Sequence, residues 1–156
     1  MRSKYVYLVR HGEARSKLED PQRGLSERGQ HSVEQLASWL CRAGIVVDEI
    51  RHSGILRAEQ TARILAGALP SAEPPQPDRG LDPDDDVRPA AESLARASRT
   101  IMLVGHLPFL DRLVSQLVLG SLEPSLVEFA PATLVRLVQD EEGWRIDCLV
   151  PADLLG

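Results

Sequence analysis

Aromatic residues are scarce in this chain of 156 residues, at 4%. The core must therefore be built from aliphatic side chains, which the 43% hydrophobic content can supply. Cysteine is scarce too. Cys41 and Cys148 lie far apart and fit neither a CxxC pair nor a zinc-ligand spacing, so both are expected as reduced thiols in the core. There is no excess of basic charge: 18 Lys and Arg against 23 Asp and Glu give a formal charge of −5. That argues against a nucleic-acid partner or an anionic membrane surface, and leaves room for a small anion held by local cations. No apolar run approaches the length of a membrane span. The stretch MRSKYVYLVRHGE has only a five-residue apolar run before Arg10, too short for a secretory leader, so the cytoplasm is the expected compartment. Without repeats or low-complexity tracts, the chain reads as one domain, 1–156.

What is present reads as strands alternating with helices. Tyr5 to Val9 is a short buried strand. Val33, Leu36, Ala37 and Leu40 recur at helical spacing, between a capping Ser26 and a stop at Gly44. A weak strand covers 48–52. Ile55, Ala58, Ala62, Leu65 and Leu69 mark a second helix, which Pro70 ends. Residues 70–80 form a proline-rich loop. Ala90, Ala91, Leu94 and Ala97 give a third helical stripe, and TIMLVGH, 100–106, a second strong strand. Pro108 can open a fourth helix at its first position, with Leu110, Leu113, Val114 and Leu117 on its apolar face. Strands at 133–138 and 144–149, joined by QDEEG, make a hairpin. This order predicts an α/β three-layer sandwich, its central sheet mostly parallel, flanked by helices and antiparallel at the hairpin.

Ligands of open α/β sheets bind beyond the carboxyl ends of the strands. Three strands here end in polar groups: Arg10-His11-Gly12, His52-Ser53-Gly54 and Gly105-His106. Arg57 follows the second by about one helical turn. If those strands are parallel, the groups converge on one rim suited to a phosphoryl dianion. Arg10 and Arg57 would supply two planar forks, and the helix starting near Gly54 or Ile55 would add free N–H groups. Ser53 is placed to cap that helix or to bond the ligand. His11 would be the nucleophile, kept neutral by the neighbouring guanidinium groups, its second ring nitrogen donating to a backbone carbonyl. Gly12 would let the backbone pass close to the ring. His106 would donate to a non-bridging oxygen.

These residues carry a resemblance. LVRHGEA, GLSERG, SGILRAEQTA and VGHLP occur in the order and spacing of the histidine phosphatase superfamily, the phosphoglycerate mutase-like enzymes, and the likeness spans residues 5 to 138. It implies catalysis by His11 with Arg10, Arg57 and His106, through a phosphohistidine intermediate that water then hydrolyses. It implies no metal and no other cofactor. Gly12, Glu13, Ser53 and Gly105, beside those groups, are candidate substrate-binding residues, with Glu13 a helper that bonds the loop. The short chain, with LDPDDDV after the proline-rich loop, is most similar to the SixA-type phosphohistidine phosphatases. This implies a phosphorylated protein partner, of the histidine-phosphotransfer type, or otherwise a small phosphate ester.

One departure bears on the substrate. Larger relatives carry a glutamate general acid two residues after a leucine. Here Leu81 is followed by Asp82 and Pro83, and proline takes that place. An alkoxide leaving group needs such a proton donor; a phosphoramidate nitrogen needs less help. Asp82 or Asp84 remains a candidate donor, although Asp84 to Asp86 also read as a solvated charge run. His31 reads as an ordinary surface residue, and His52 either faces the pocket edge or points away. Two other classes stay open: a non-catalytic phosphate-binding module, and a metal-dependent hydrolase using His11, His52 and His106. The second has no HExxH-like spacing behind it.

Overall fold

The computed structural model describes residues 3–156; Met1 and Arg2, at the start of the expected domain and leader reading, lie outside the described residues. The elements follow in the order β1 (Lys4–Arg10), α1 (Glu27–Arg42), β2 (Glu49–His52), α2 (Leu56–Ala66), β3 (Gln76–Pro77), α3 (Arg88–Arg96), β4 (Ile101–Gly105), α4 (Phe109–Leu119), β5 (Thr133–Asp140) and β6 (Gly143–Pro151). A 3-10 turn over Ala152–Leu154 closes the chain.

One six-stranded sheet runs in the order β3-β2-β4-β1-β5-β6. Strands β3, β2, β4 and β1 are parallel, and β5 is antiparallel to both β1 and β6. The two-residue period of a strand sends alternate side chains to opposite faces. Tyr7 and Val9 of β1, with Met102 and Val104 of β4, pack against Val33, Leu36 and Leu40 of α1 and Ala58, Ala62 and Leu65 of α2. Val6, Leu8, Ile101 and Leu103 pack on the other side against Leu94 of α3 and Leu110, Leu113 and Val114 of α4. The fold is thus an α/β three-layer sandwich around a mostly parallel sheet. Among the described residues, no helix is long and apolar enough to cross a membrane.

Several details differ from the sequence reading. The second helix ends at Ala66, before Pro70, with Gly67 at its C-cap; Leu69 is still buried, but in the turn that follows. The proline-rich loop contains β3, which pairs Gln76 and Pro77 with Arg51 and His52. Pro108 is the cap of α4 rather than its first residue. The hairpin strands are longer than expected and leave only Glu141 and Glu142 between them. The cysteines differ from each other: Cys41 is exposed, whereas Cys148 is half-buried and packs against the core cluster beneath α1 and α2. On α1 the inward position belongs to Leu40, which turns its neighbour Cys41 outward.

Candidate active site

The sheet register brings the three polar strand ends level. Arg10 lies opposite Gly105, and Val104 opposite His52. Arg10-His11, His106 and Ser53 therefore leave the sheet side by side, and Arg57 follows in the first turn of α2. The His11 and His106 rings lie with centroids 5.1 Å apart.

The segment Arg10 to Gly12 is pinned on every side. The His11 N–H donates to Gly105 O (3.0 Å), and the Ala132 N–H is shared between Arg10 O and His11 O (both 3.1 Å). His11 Nδ1 lies 2.7 Å from Gly12 O. A carbonyl only accepts, so Nδ1 carries the proton and Nε2 presents a lone pair. Burial, at 8% exposure, pushes the His11 pKa down to about 4. The Gly12 carbonyl opposes that shift in part, and Arg57, Arg10 and Arg23 add to it. His106 is pushed down to about 3, first by burial and then by His11, Arg57 and Arg10. Both rings are neutral at pH 7.

Cations here lack anionic partners. Arg10 Nη1 donates to Phe129 O (2.7 Å), but the buried Nε of Arg10 and of Arg57 have no partner, and neither has the Nδ1 of His106. Among the described residues neither arginine forms an ion pair. Unsatisfied buried donors are costly, and donors gathered at one spot suit an incoming anion. Among the described residues, neither Glu13 nor Asp82 forms an ion pair with Arg10 or Arg57.

Other expected site residues are placed as follows. The Ser53 Oγ accepts the Ile55 N–H (3.2 Å) and lies 2.6 Å from His106 Nε2, so it joins the α2 entry to the second histidine. The Glu13 carboxylate accepts from the Ser26 hydroxyl (3.0 Å), and that hydroxyl caps α1 through the Gly29 N–H (3.0 Å). Glu13 is thus turned toward the helix cap. Gly12 donates its N–H to Thr61 Oγ1 (3.1 Å) and gives its carbonyl to His11. A Cβ on Gly12 would meet Val33 Cγ2 at 2.7 Å and Gly29 O at 3.0 Å, so a glycine here also permits a close approach to α1. Gly105 has its carbonyl engaged by His11. Asp82 lines a cavity of about 370 Å³ with Ser53, Pro77, Asp78, Arg79 and Gly80; Asp84 is not part of its wall. His31 is exposed on α1. His52 is buried on the sheet face beneath α2, where its Nδ1 accepts the Gly54 N–H (3.0 Å). The charged side chains that act on His52 there are Glu59 and Arg63. Among the described residues, no group of three or more His, Cys, Asp or Glu side chains is arranged to hold a metal ion.

Arg23 was not legible in the sequence as a site residue. It has a left-handed φ of 51°, and its Nε donates to Arg15 O (3.0 Å). Asp20 shapes the turn by accepting from Gln22 N and Gly24 N. The charge of Arg23 acts on both His11 and Arg57, which adds a third cation to the rim. Gln60 and Thr61 of α2 were also missed as site supports. Gln60 Oε1 accepts the Leu25 N–H (2.7 Å) and so holds the segment after Arg23.

The chain matches the model of the histidine phosphatase superfamily (branch 1) over residues 6–85. It is 28% identical over 145 residues to the phosphohistidine phosphatase SixA of Escherichia coli (strain K12), covering 88% of this chain and 87% of the relative. The structure of the protein histidine phosphatase SixA complexed with tungstate superposes with a TM-score of 0.85 at 23% identity, covering 97% of this chain and 99% of that one. A phosphoserine phosphatase mutant from Entamoeba histolytica, bound to phosphoserine, has a TM-score of 0.75 at 15% identity, with coverage of 98% and 100%. At such identities the structural matches speak for the fold.

Proposed function

This chain belongs to the histidine phosphatase superfamily and is a phosphatase, and on that premise we propose that it removes phosphate from phosphohistidine carried by a partner protein. The observation that carries this reading is a neutral His11, tautomer fixed by Gly12 O, beside guanidinium groups that have no counter-anion. The His11 Nε2 lone pair attacks phosphorus in line. The bond from phosphorus to the substrate imidazole breaks, and the departing nitrogen takes a proton from solvent. Water then attacks phospho-His11, which releases orthophosphate and restores the free imidazole. Arg10, Arg57 and His106 hold the non-bridging oxygens through both steps, the kind of fixed electrostatic complement on which phosphoryl transfer depends. No metal takes part in this scheme.

A 28% identity to a phosphohistidine phosphatase supports the substrate class, as does the proline that replaces the expected glutamate. One observation favours a second reading, a small phosphate ester as substrate: Asp82 lines the cavity next to Ser53 and could protonate an alkoxide. Rapid quenching with a radiolabelled phosphohistidine protein and with a phosphomonoester tests both. The expected result is an acid-labile, base-stable label on the wild-type chain, none on His11→Ala, and faster turnover of the phosphohistidine protein. Equal turnover of the two substrates would overturn the substrate assignment. A label on His11→Ala would overturn the mechanism.

A further inference from the structure

One hydroxyl links the two halves of the rim. Thr61 is fully buried in α2, at 0% exposure. Its only hydroxyl proton goes to Arg57 O (2.8 Å), one helical turn back. Its oxygen is then an acceptor, and it takes the Gly12 N–H at 3.1 Å. The carbonyl of the same glycine accepts from His11 Nδ1 at 2.7 Å. The result is a hydrogen-bonded chain from the backbone of Arg57 through Thr61 and Gly12 to the His11 ring.

We propose that Thr61 is a positioning residue for the nucleophile: it orients Gly12 so that Gly12 O holds the His11 ring as the Nδ1–H tautomer, with Nε2 free to attack, and it keeps this alignment tied to the helix that carries Arg57. The proposal rests on His11 being the nucleophile. Two features argue against a purely local role for the hydroxyl. A buried helical threonine can satisfy itself with the carbonyl four residues back, and needs nothing from another segment. Here a second bond reaches a residue 49 positions away in sequence, at the one glycine whose carbonyl sets the tautomer. Without the hydroxyl the Gly12 N–H would lose this partner in a buried site. Glycine has the backbone freedom to turn in response, and its carbonyl would turn with it.

The test uses the full chain, with 15N-labelled histidine, as wild type, Thr61→Val and Thr61→Ser. The His11 ring-nitrogen shifts at pH 7 report the tautomer, and single-turnover labelling reports phosphorylation. Wild type and Thr61→Ser are expected to show the Nδ1–H form. Thr61→Val should show a mixture, with phosphorylation of His11 slowed roughly 10- to 100-fold, the scale of a misaligned reacting group, and with little change in KM. If Thr61→Val does not fold, Thr61→Ala carries the same comparison. A hydroxyl-free variant that keeps both tautomer and rate overturns the proposal. So does a Thr61→Ser chain as impaired as Thr61→Val, because the methyl group would then be what matters. If wild type takes no label at all, the nucleophile reading fails, while the nitrogen shifts still decide whether Thr61 sets the tautomer.

Discussion

The two ends of the parallel strands handle charge in opposite ways. At the amino ends, cations are matched. Lys4 Nζ donates to three carbonyls at the end of α3, Leu94 O, Ala95 O and Ala97 O, at 2.7–2.9 Å. Arg99 pairs with Glu73 at 2.9 Å, and the Asp48 carboxylate accepts the Thr100 N–H at 2.8 Å. At the carboxyl ends, Arg10 and Arg57 each keep a buried Nε without a partner, and Arg23 adds a further positive charge. Partnered charge belongs to the folding end of the sheet. Charge left unpartnered belongs to the end proposed to meet an anion, and the fold tolerates its cost there.

Removing a cation from each end sharpens this contrast. Arg57→Ala should lower kcat/KM by roughly 100- to 1000-fold, as loss of one preorganised donor commonly does, without lowering the melting temperature. Steady-state kinetics and calorimetry on the same sample check both halves, and a clear drop in melting temperature would show that Arg57 is structural.

Acid probes the same end. Both histidines of the candidate site are held neutral, at about 4 for His11 and about 3 for His106, against 6.5 for an unperturbed imidazole. Below pH 6.5 the unfolded chain binds protons that the folded chain does not, so these groups make stability fall as pH drops from about 6.5 toward 3, below which the loss is complete and no longer changes with pH. The melting temperature of wild type should therefore fall more between pH 7 and pH 5 than that of a His11→Gln, His106→Gln double variant. Over the same interval wild-type kcat/KM should stay flat, with its acid limb near 4 rather than 6.5. The smallest effect is expected at the other end. Lys4→Met should cost about 1 kcal/mol, the scale of a partly exposed cation at a helix C-terminus, and leave kcat/KM unchanged. Denaturant titration and kinetics would show whether Lys4 is as remote from function as its place implies.

The layered fold was legible because its signals are local and periodic: aliphatic runs for β1 and β4, and helical stripes for α1 to α4. Strand β3 was not, because Gln76 and Pro77 become a strand only by pairing with Arg51 and His52. Of the site, His11, Arg10, Arg57 and His106 could be placed from short motifs at strand ends and a helix start, where the chain's geometry is predictable. Arg23 sits in a polar stretch with no periodicity, and only the Asp20-shaped turn and its left-handed backbone bring it to the rim. A second demand on Gly12 was hidden for a related reason. Its carbonyl meets the ring of its sequence neighbour His11, and α1 crowds it as well, where a Cβ on Gly29 would lie 2.1 Å from Glu13 O. Helix and loop approach backbone to backbone at that point, a tertiary fact that no spacing rule contains.

The register that lines up Arg10 with Gly105 and Val104 with His52 also dictates when the enzyme can come into being. His11 and His106 stand 95 positions apart in the chain, yet they become neighbours only after β4 has slotted between β1 and β2. No fragment lacking β4 holds both rings, so under the proposed mechanism catalysis can begin, during synthesis or refolding, only once that strand has docked. Recovered turnover is then a clock for completion of the central sheet, which such long-range contacts make a late event.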